Sequence, residues 1–112
     1  MNLVYVCSPY RGDSKKAVKK NVKRARKYCR LVAQQGGIPF APHLLFTQFL
    51  DDANPRNRRM GLRLGLAMLK RCDELWVFGK PSEGMASEIA YAMKLGLPVR
   101  WHDSEGRAKN SE

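Results

Sequence analysis

Apolar runs and amphipathic stretches alternate along this chain. Leu3-Val4-Tyr5-Val6-Cys7 is apolar throughout and rich in β-prone residues, which predicts a buried strand. Ser8-Pro9-Tyr10-Arg11-Gly12-Asp13 breaks it with turn chemistry. From Ser14 to about Gln35 the pattern becomes helical: Val18, Val22, Ala25, Cys29 and Val32 fall on one face, and Gly36-Gly37 ends the helix. Ile38-Pro39-Phe40-Ala41 reads as a brief second strand, followed by a loop or short helix over Pro42-His43-Leu44-Leu45-Phe46. Asn54-Pro55 is a helix start, with Asn as N-cap and Pro in the first helical position, and this helix is predicted to run to about Lys70. Met60, Leu64, Ala67 and Met68 form one stripe on it and Leu62, Leu66 and Leu69 a second. Two apolar sides predict burial on both, one of them in a dimer contact.

Leu75 to Phe78 is the third strand, and Met85 to Leu95 a third long helix with Ile89, Ala92 and Met93 facing the core. Gly96 ends it, and Leu97-Pro98-Val99-Arg100-Trp101 supplies a fourth strand. Strands alternating with helices predict an α/β fold, a Rossmann/flavodoxin-like three-layer sandwich with about four parallel strands and helices on both faces. Residues 1–101 form the expected domain, and 102–112 a polar, frayed tail. With strand order 2-1-3-4, strands one and three flank the switch point, where ligands bind outside the carboxyl ends of the strands. The loops there are Ser8 to Asp13 and Gly79 to Gly84.

At 112 residues this is one domain, and 28% charged with 44% hydrophobic residues is ordinary globular composition. No apolar run reaches the roughly 20 residues of a membrane span, and Met1 to Val6 does not resemble a signal peptide, so the expectation is a cytoplasmic protein without a membrane partner. Cys7, Cys29 and Cys72 are widely separated and read as buried small apolar residues; neither they nor His43 and His102 suggest a metal site. The formal charge of +11 changes the picture more, since nine of the 21 Lys and Arg residues lie between Lys15 and Arg30. Such a chain attracts phosphate-bearing partners, either a small nucleotide or a nucleic acid. Tyr28 is the single aromatic in that region, and the charges flank a clean apolar stripe. A solvated face is therefore the default reading, and nucleic acid is the secondary partner.

Candidate chemistry gathers in Pro81-Ser82-Glu83-Gly84-Met85-Ala86-Ser87-Glu88, a turn leading into a helix. The first N–H groups of a helix have no internal partner and suit an anion. Ser82 offers a hydroxyl and Gly84 close backbone approach, although both also fit ordinary cap chemistry. Glu88 is the candidate nucleophile: near the positive end of the helix dipole it is expected to stay ionised, and ionised carboxylates attack anomeric carbons. Its alternative is a surface salt bridge. Arg11 is read as a bidentate phosphate ligand or an exposed loop charge. Tyr5 either reaches the Glu88 carboxylate or fills the core, and His43 either lines the pocket or is a plain loop residue. Arg11-Gly12-Asp13 also spells an integrin-type tripeptide, read here as chance.

Tyr5-Val6-Cys7-Ser8-Pro9-Tyr10-Arg11-Gly12, together with the Pro81–Glu88 segment and Cys72-Asp73-Glu74 before the third strand, resembles the nucleoside 2-deoxyribosyltransferase superfamily. By motif it is most similar to the nucleoside 5′-monophosphate N-glycosidases and to short phage-type relatives. The resemblance implies a Rossmann-like homodimer or higher oligomer, a glutamate nucleophile and a nucleotide substrate. Carried over by motif, Glu88 is the nucleophile and Tyr5 orients it. Ser8, Arg11, Gly12, Ser82 and Gly84 become sugar- and phosphate-contacting positions, and Pro9, Tyr10, His43 and Met85 are further substrate-binding candidates. No cofactor and no metal are implied. The transferases typically carry an Asp-Gly-Thr type turn before the glutamate; the different turn here points to hydrolysis over base exchange. Asp51, Asp52 and Asp73 are candidates for base contacts, with strand capping the alternative for Asp73. A non-catalytic nucleotide-binding module and a nucleic-acid-binding protein using the basic first helix are the competing functions.

Overall fold

A computed structural model describes residues 1–109. The chain runs β1 (Leu3–Cys7), α1 (Lys15–Gln34), β2 (Ile38–Phe40), α2 (Pro42–Leu45), a 3-10 turn (Phe46–Gln48), α3 (Pro55–Leu69), β3 (Glu74–Phe78), α4 (Glu83–Lys94), β4 (Val99–His102) and β5 (Ala108–Lys109). The sheet order is β2-β1-β3-β4-β5. The first four strands are mutually parallel, and β5 pairs antiparallel with β4. This is the predicted Rossmann/flavodoxin-like architecture, with one more strand than expected.

Alternation of side chains across the central strands divides the core into two layers. Tyr5, Cys7, Leu75 and Val77 point to one face, where they meet Leu69 of α3 and Met85, Ile89 and Ala92 of α4. Val4, Val6, Trp76 and Phe78 point to the other, against Tyr28 and Val32 of α1. The helices start where the capping residues predict. Ser14 Oγ accepts from the Ala17 N–H at 3.1 Å, and Asn54 Oδ1 accepts from Arg56 and Asn57. β3 ends at Gly79, whose φ of 80° is the left-handed region that a side chain disfavours.

Three expectations need correction. The segment from His102 onward, expected to fray, instead turns back: Asp103 Oδ1 accepts from the Glu105 and Arg107 N–H groups, and β5 adds to the sheet edge. His102 itself is buried, and the last three residues of the expected tail lie outside the described residues. Met93 is exposed, because the buried stripe of α4 runs Met85, Ile89, Ala92 and leaves Met93 to one side. On α3 only Gly65 and Leu69 are buried, while Met60, Leu62 and Leu64 are exposed, so a single chain covers one side of this helix rather than two. No described helix is long and apolar enough to cross a membrane.

Candidate active site

Strand β1 supplies two side chains to one point. Tyr5 and Cys7 are two residues apart and so share the α3/α4 face. Above them passes α4, started by Ser82, whose Oγ accepts from the Met85 N–H at 3.3 Å. Glu88, the sixth residue of α4, is thereby brought over β1. The Tyr5 hydroxyl donates to Glu88 Oε2, and the Cys7 thiol lies 3.5 Å from Glu88 Oε1. Both carboxylate oxygens are thus addressed from the same strand.

Burial is the dominant influence on all three groups. It raises the Glu88 carboxyl above its ordinary range, and the hydrogen bonds from Tyr5 and Cys7 oppose the rise without cancelling it. The helix dipole, which acts mainly within the first turn and so before Glu88, does not outweigh this burial. Burial together with the Glu88 charge pushes up the Tyr5 and Cys7 acids, so both stay protonated and able to donate.

Gly65 of α3 completes the arrangement. A Cβ built there would lie 3.0 Å from the Tyr5 hydroxyl oxygen, so the bare backbone leaves Tyr5 the room it uses to reach Glu88. Neither Gly65 nor Cys7 stood out in the sequence as a functional residue. The available signal for Cys7 was its two-residue spacing from Tyr5; for Gly65 there was none beyond a glycine inside a helix.

The other expected site residues divide into groups. Ser82 caps α4 and is exposed, and Gly84 in its first turn has no neighbour within 4 Å of a built Cβ, leaving open space above the backbone. Met85 does not join them: its side chain is 2% exposed and enclosed in the core, and its N–H is taken by Ser82. Ser8 is buried at the end of β1 and Pro9 is half-buried. Gly12 serves packing, since a Cβ there would fall 2.5 Å from the Ala17 Cβ of α1. Asn21 Nδ2 donates to the Tyr10 and Arg11 carbonyls and fixes the loop.

A second feature lies beside this loop. A cleft of about 780 Å³ runs between Tyr10, Arg11, Gly12 and Lys15 on one wall and the Thr47–Ala53 segment on the other. Arg11 Nε bonds Asp52 Oδ2 at 3.0 Å across it, so the arginine expected to hold phosphate is engaged with a carboxylate. His43 stacks on Tyr10, with ring centroids 4.8 Å apart and an interplanar angle of 18°, and burial lowers its pKa. The cleft's described lining includes no residue of α4, so Arg11 and the Glu88 cluster belong to adjoining but separate features. Asp51 Oδ1 accepts from the Ala53 N–H, and Asp73 Oδ2 accepts from the Leu3 N–H at 2.7 Å, fixing the start of β1 as a cap would. Among the described residues no group of three or more His, Cys, Asp or Glu gathers to hold a metal ion.

Residues 2–102 match the family described as domain of unknown function DUF7768. The chain belongs to this family. No curated protein matches the DUF7768 chain. Among solved structures, it is similar to a 2-deoxyribosyltransferase from the psychrotolerant bacterium Bacillus psychrosaccharolyticus, with a TM-score of 0.67 and 21% identity. The alignment covers 96% of this chain and 76% of that one. At this identity the likeness shows that the DUF7768 chain shares the transferase fold.

Proposed function

We propose that this protein cleaves, or transfers at, the N-glycosidic bond of a nucleoside or deoxynucleoside 5′-monophosphate, with Glu88 as nucleophile. The observation that carries this reading is the half-buried Glu88 carboxylate held at both oxygens by Tyr5 and Cys7 beside an open helix start. The fold shared with a 2-deoxyribosyltransferase, described as a biocatalyst for nucleoside synthesis, supports the same chemistry. Glu88 attacks C1′, the C1′–N bond breaks, and the base leaves with the electron pair and takes a proton from water or a side chain. Water then attacks C1′ of the glycosyl ester and frees Glu88; a second base in place of water gives transfer. Tyr5 and Cys7 keep the carboxylate aimed. The open space over Gly84 and the first N–H groups of α4 suit the 5′-phosphate, and Arg11 is proposed to exchange Asp52 for it. The exposed Met60 and Leu64, neighbours one turn apart on α3, support a homodimer.

The test is incubation with a panel of ribo- and deoxyribonucleoside 5′-monophosphates, followed by chromatography for free base. Base release establishes the activity and names the substrate. Thermal stabilisation by a nucleotide without product would instead make the domain a nucleotide-binding module.

Two variants probe the parts. Arg11→Ala is expected to weaken the monophosphate by about 10- to 100-fold, the range of a lost charge-assisted contact, and to leave the bare nucleoside nearly unaffected. Equal losses for both, measured as KM or Kd, would reject Arg11 as the phosphate ligand. Gly65→Ala should crowd the Tyr5 hydroxyl and slow base release by about tenfold. Because the Tyr5 bond is one of the groups lowering the Glu88 pKa, the acid limb of the rate profile should also move to higher pH. A wild-type rate and profile in this variant would show that the clearance at Gly65 is incidental.

A further inference from the structure

The longest helix carries a surface that the proposed chemistry does not use. All nine cations from Lys15 to Arg30 lie on α1, which contains no acidic residue. At 100° per residue they fall within one half of the helix circumference, opposite the stripe of Val22, Ala25, Cys29 and Val32 that turns to the sheet. All but Arg24 are exposed. Among the described residues only Lys27 has an ion-pair partner, Glu105 at 3.6 Å. The result is a ridge of positive charge about 23 Å long, from Lys15 to Arg30 at 1.5 Å per residue, with one ion pair along it.

Like charges at i, i+3 and i, i+4 destabilise an isolated helix, so a run this dense works against folding unless an anion neutralises it. The ridge also restricts which anion fits. Tyr28, the single aromatic residue of α1, is buried against Phe78 with its hydroxyl donating to the Ser104 carbonyl, so the ridge itself offers no ring to stack on bases. No large apolar side chain of α1 is exposed, so nothing is available to enter a bilayer. What remains is a line of point charges matched to a line of phosphates.

We propose that the exposed face of α1 binds the phosphodiester backbone of nucleic acid without reading its sequence. The ridge starts at Lys15, on the wall of the cleft beside Arg11, and leads away from it. The inference stands independently of the glycosidase reading.

Fluorescence anisotropy of the full chain with labelled 30-base-pair DNA, duplex RNA and single strands tests it between about 50 and 200 mM salt. Binding should be insensitive to sequence. Four or more neutralised phosphates would make log K fall with log salt at a slope of about −3.6 or steeper. Reversing Lys19, Lys23, Arg26 and Arg30 to Glu should weaken binding by at least about 100-fold and flatten that slope. Reversing Arg56, Arg58, Arg59 and Arg63 of α3 changes the net charge equally on the opposite face of the sheet, and should cost less than about fivefold. Circular dichroism establishes that both variants fold. Equal losses in the two variants would reduce the effect to net charge and overturn the proposal. So would absence of nucleic-acid binding at 50 mM salt, or preferential capture by vesicles of anionic phospholipid. Base release from mononucleotides, where present, should be unchanged in the α1 variant, which separates this surface from the Glu88 site.

Discussion

Glu88→Gln is expected to lower base release from nucleoside 5′-monophosphates by at least about a thousandfold, roughly 4 kcal/mol of transition-state stabilisation, while the fold persists. Gln keeps an oxygen for the Tyr5 hydroxyl and nearly the same volume, so little is lost structurally. It removes a charge that burial disfavours, as the raised Glu88 pKa shows. The urea midpoint at pH 7 should therefore stay level or rise. Loss of activity without loss of stability is what separates a functional carboxylate from a structural one. Glu88→Ala is the less clean variant, because it leaves the buried Tyr5 hydroxyl without its acceptor. The wild-type pH profile offers a second reading. Attack requires the ionised form, so the rate should fall as pH drops through the Glu88 pKa, at a pH above the ordinary carboxylate range. Turnover by Glu88→Gln at the wild-type rate would end the nucleophile assignment.

Much of the frame was legible in the sequence because it depends on local chemistry. The runs Leu3–Cys7 and Leu75–Phe78 are apolar on both faces since central parallel strands are covered on both faces, and the structure buries them between two helix layers. Asn54-Pro55 marked the start of α3 because its capping bonds lie within a few residues. The reading failed where one long-range contact decides the outcome. β5 has two described residues and no apolar pattern; the Asp103 side chain and the turn at Gly106 create it by folding back on β4. Arg11 looks free in the sequence, and its pairing with Asp52 spans 41 positions. The pairing of Tyr5 with Glu88 spans 83 and was anticipated only as one of two alternatives. The direction of the Glu88 shift was misread for the same reason. Helix position is local, whereas the burial of the carboxylate against β1 is tertiary and prevails.

The two layers differ in what they tolerate. On the Glu88 side, the bare backbone at Gly65 leaves room for Tyr5 and Glu88 to meet. On the α1 side, four aromatic rings lock the sheet to the helix. Phe78 is completely buried, with the Tyr28 ring at 4.2 Å and 9° and the His102 ring at 4.5 Å and 18°. Trp76 in turn stacks on His102 at 5.0 Å. This stack ties α1, β3 and β4 together, and the Tyr28 hydroxyl extends the tie to the Ser104 carbonyl at 2.6 Å.

Phe78→Ala should accordingly cost about 3–5 kcal/mol of folding stability, from lost burial and the cavity left behind. Another 0.5–1.5 kcal/mol or so belongs to the lost ring contacts. For a small domain of this size that is much of the total stability, so the variant should populate unfolded chain at temperatures the wild type withstands. Phe78→Leu restores most of the apolar volume without the stacking geometry, and should recover more than half of the loss. Urea unfolding of the three proteins measures both numbers. If Phe78→Ala costs less than about 1 kcal/mol, the α1 layer does not hold the sheet as described. If Phe78→Leu is as unstable as Phe78→Ala, ring stacking rather than filled volume carries the contact, and Tyr28→Leu should then match it.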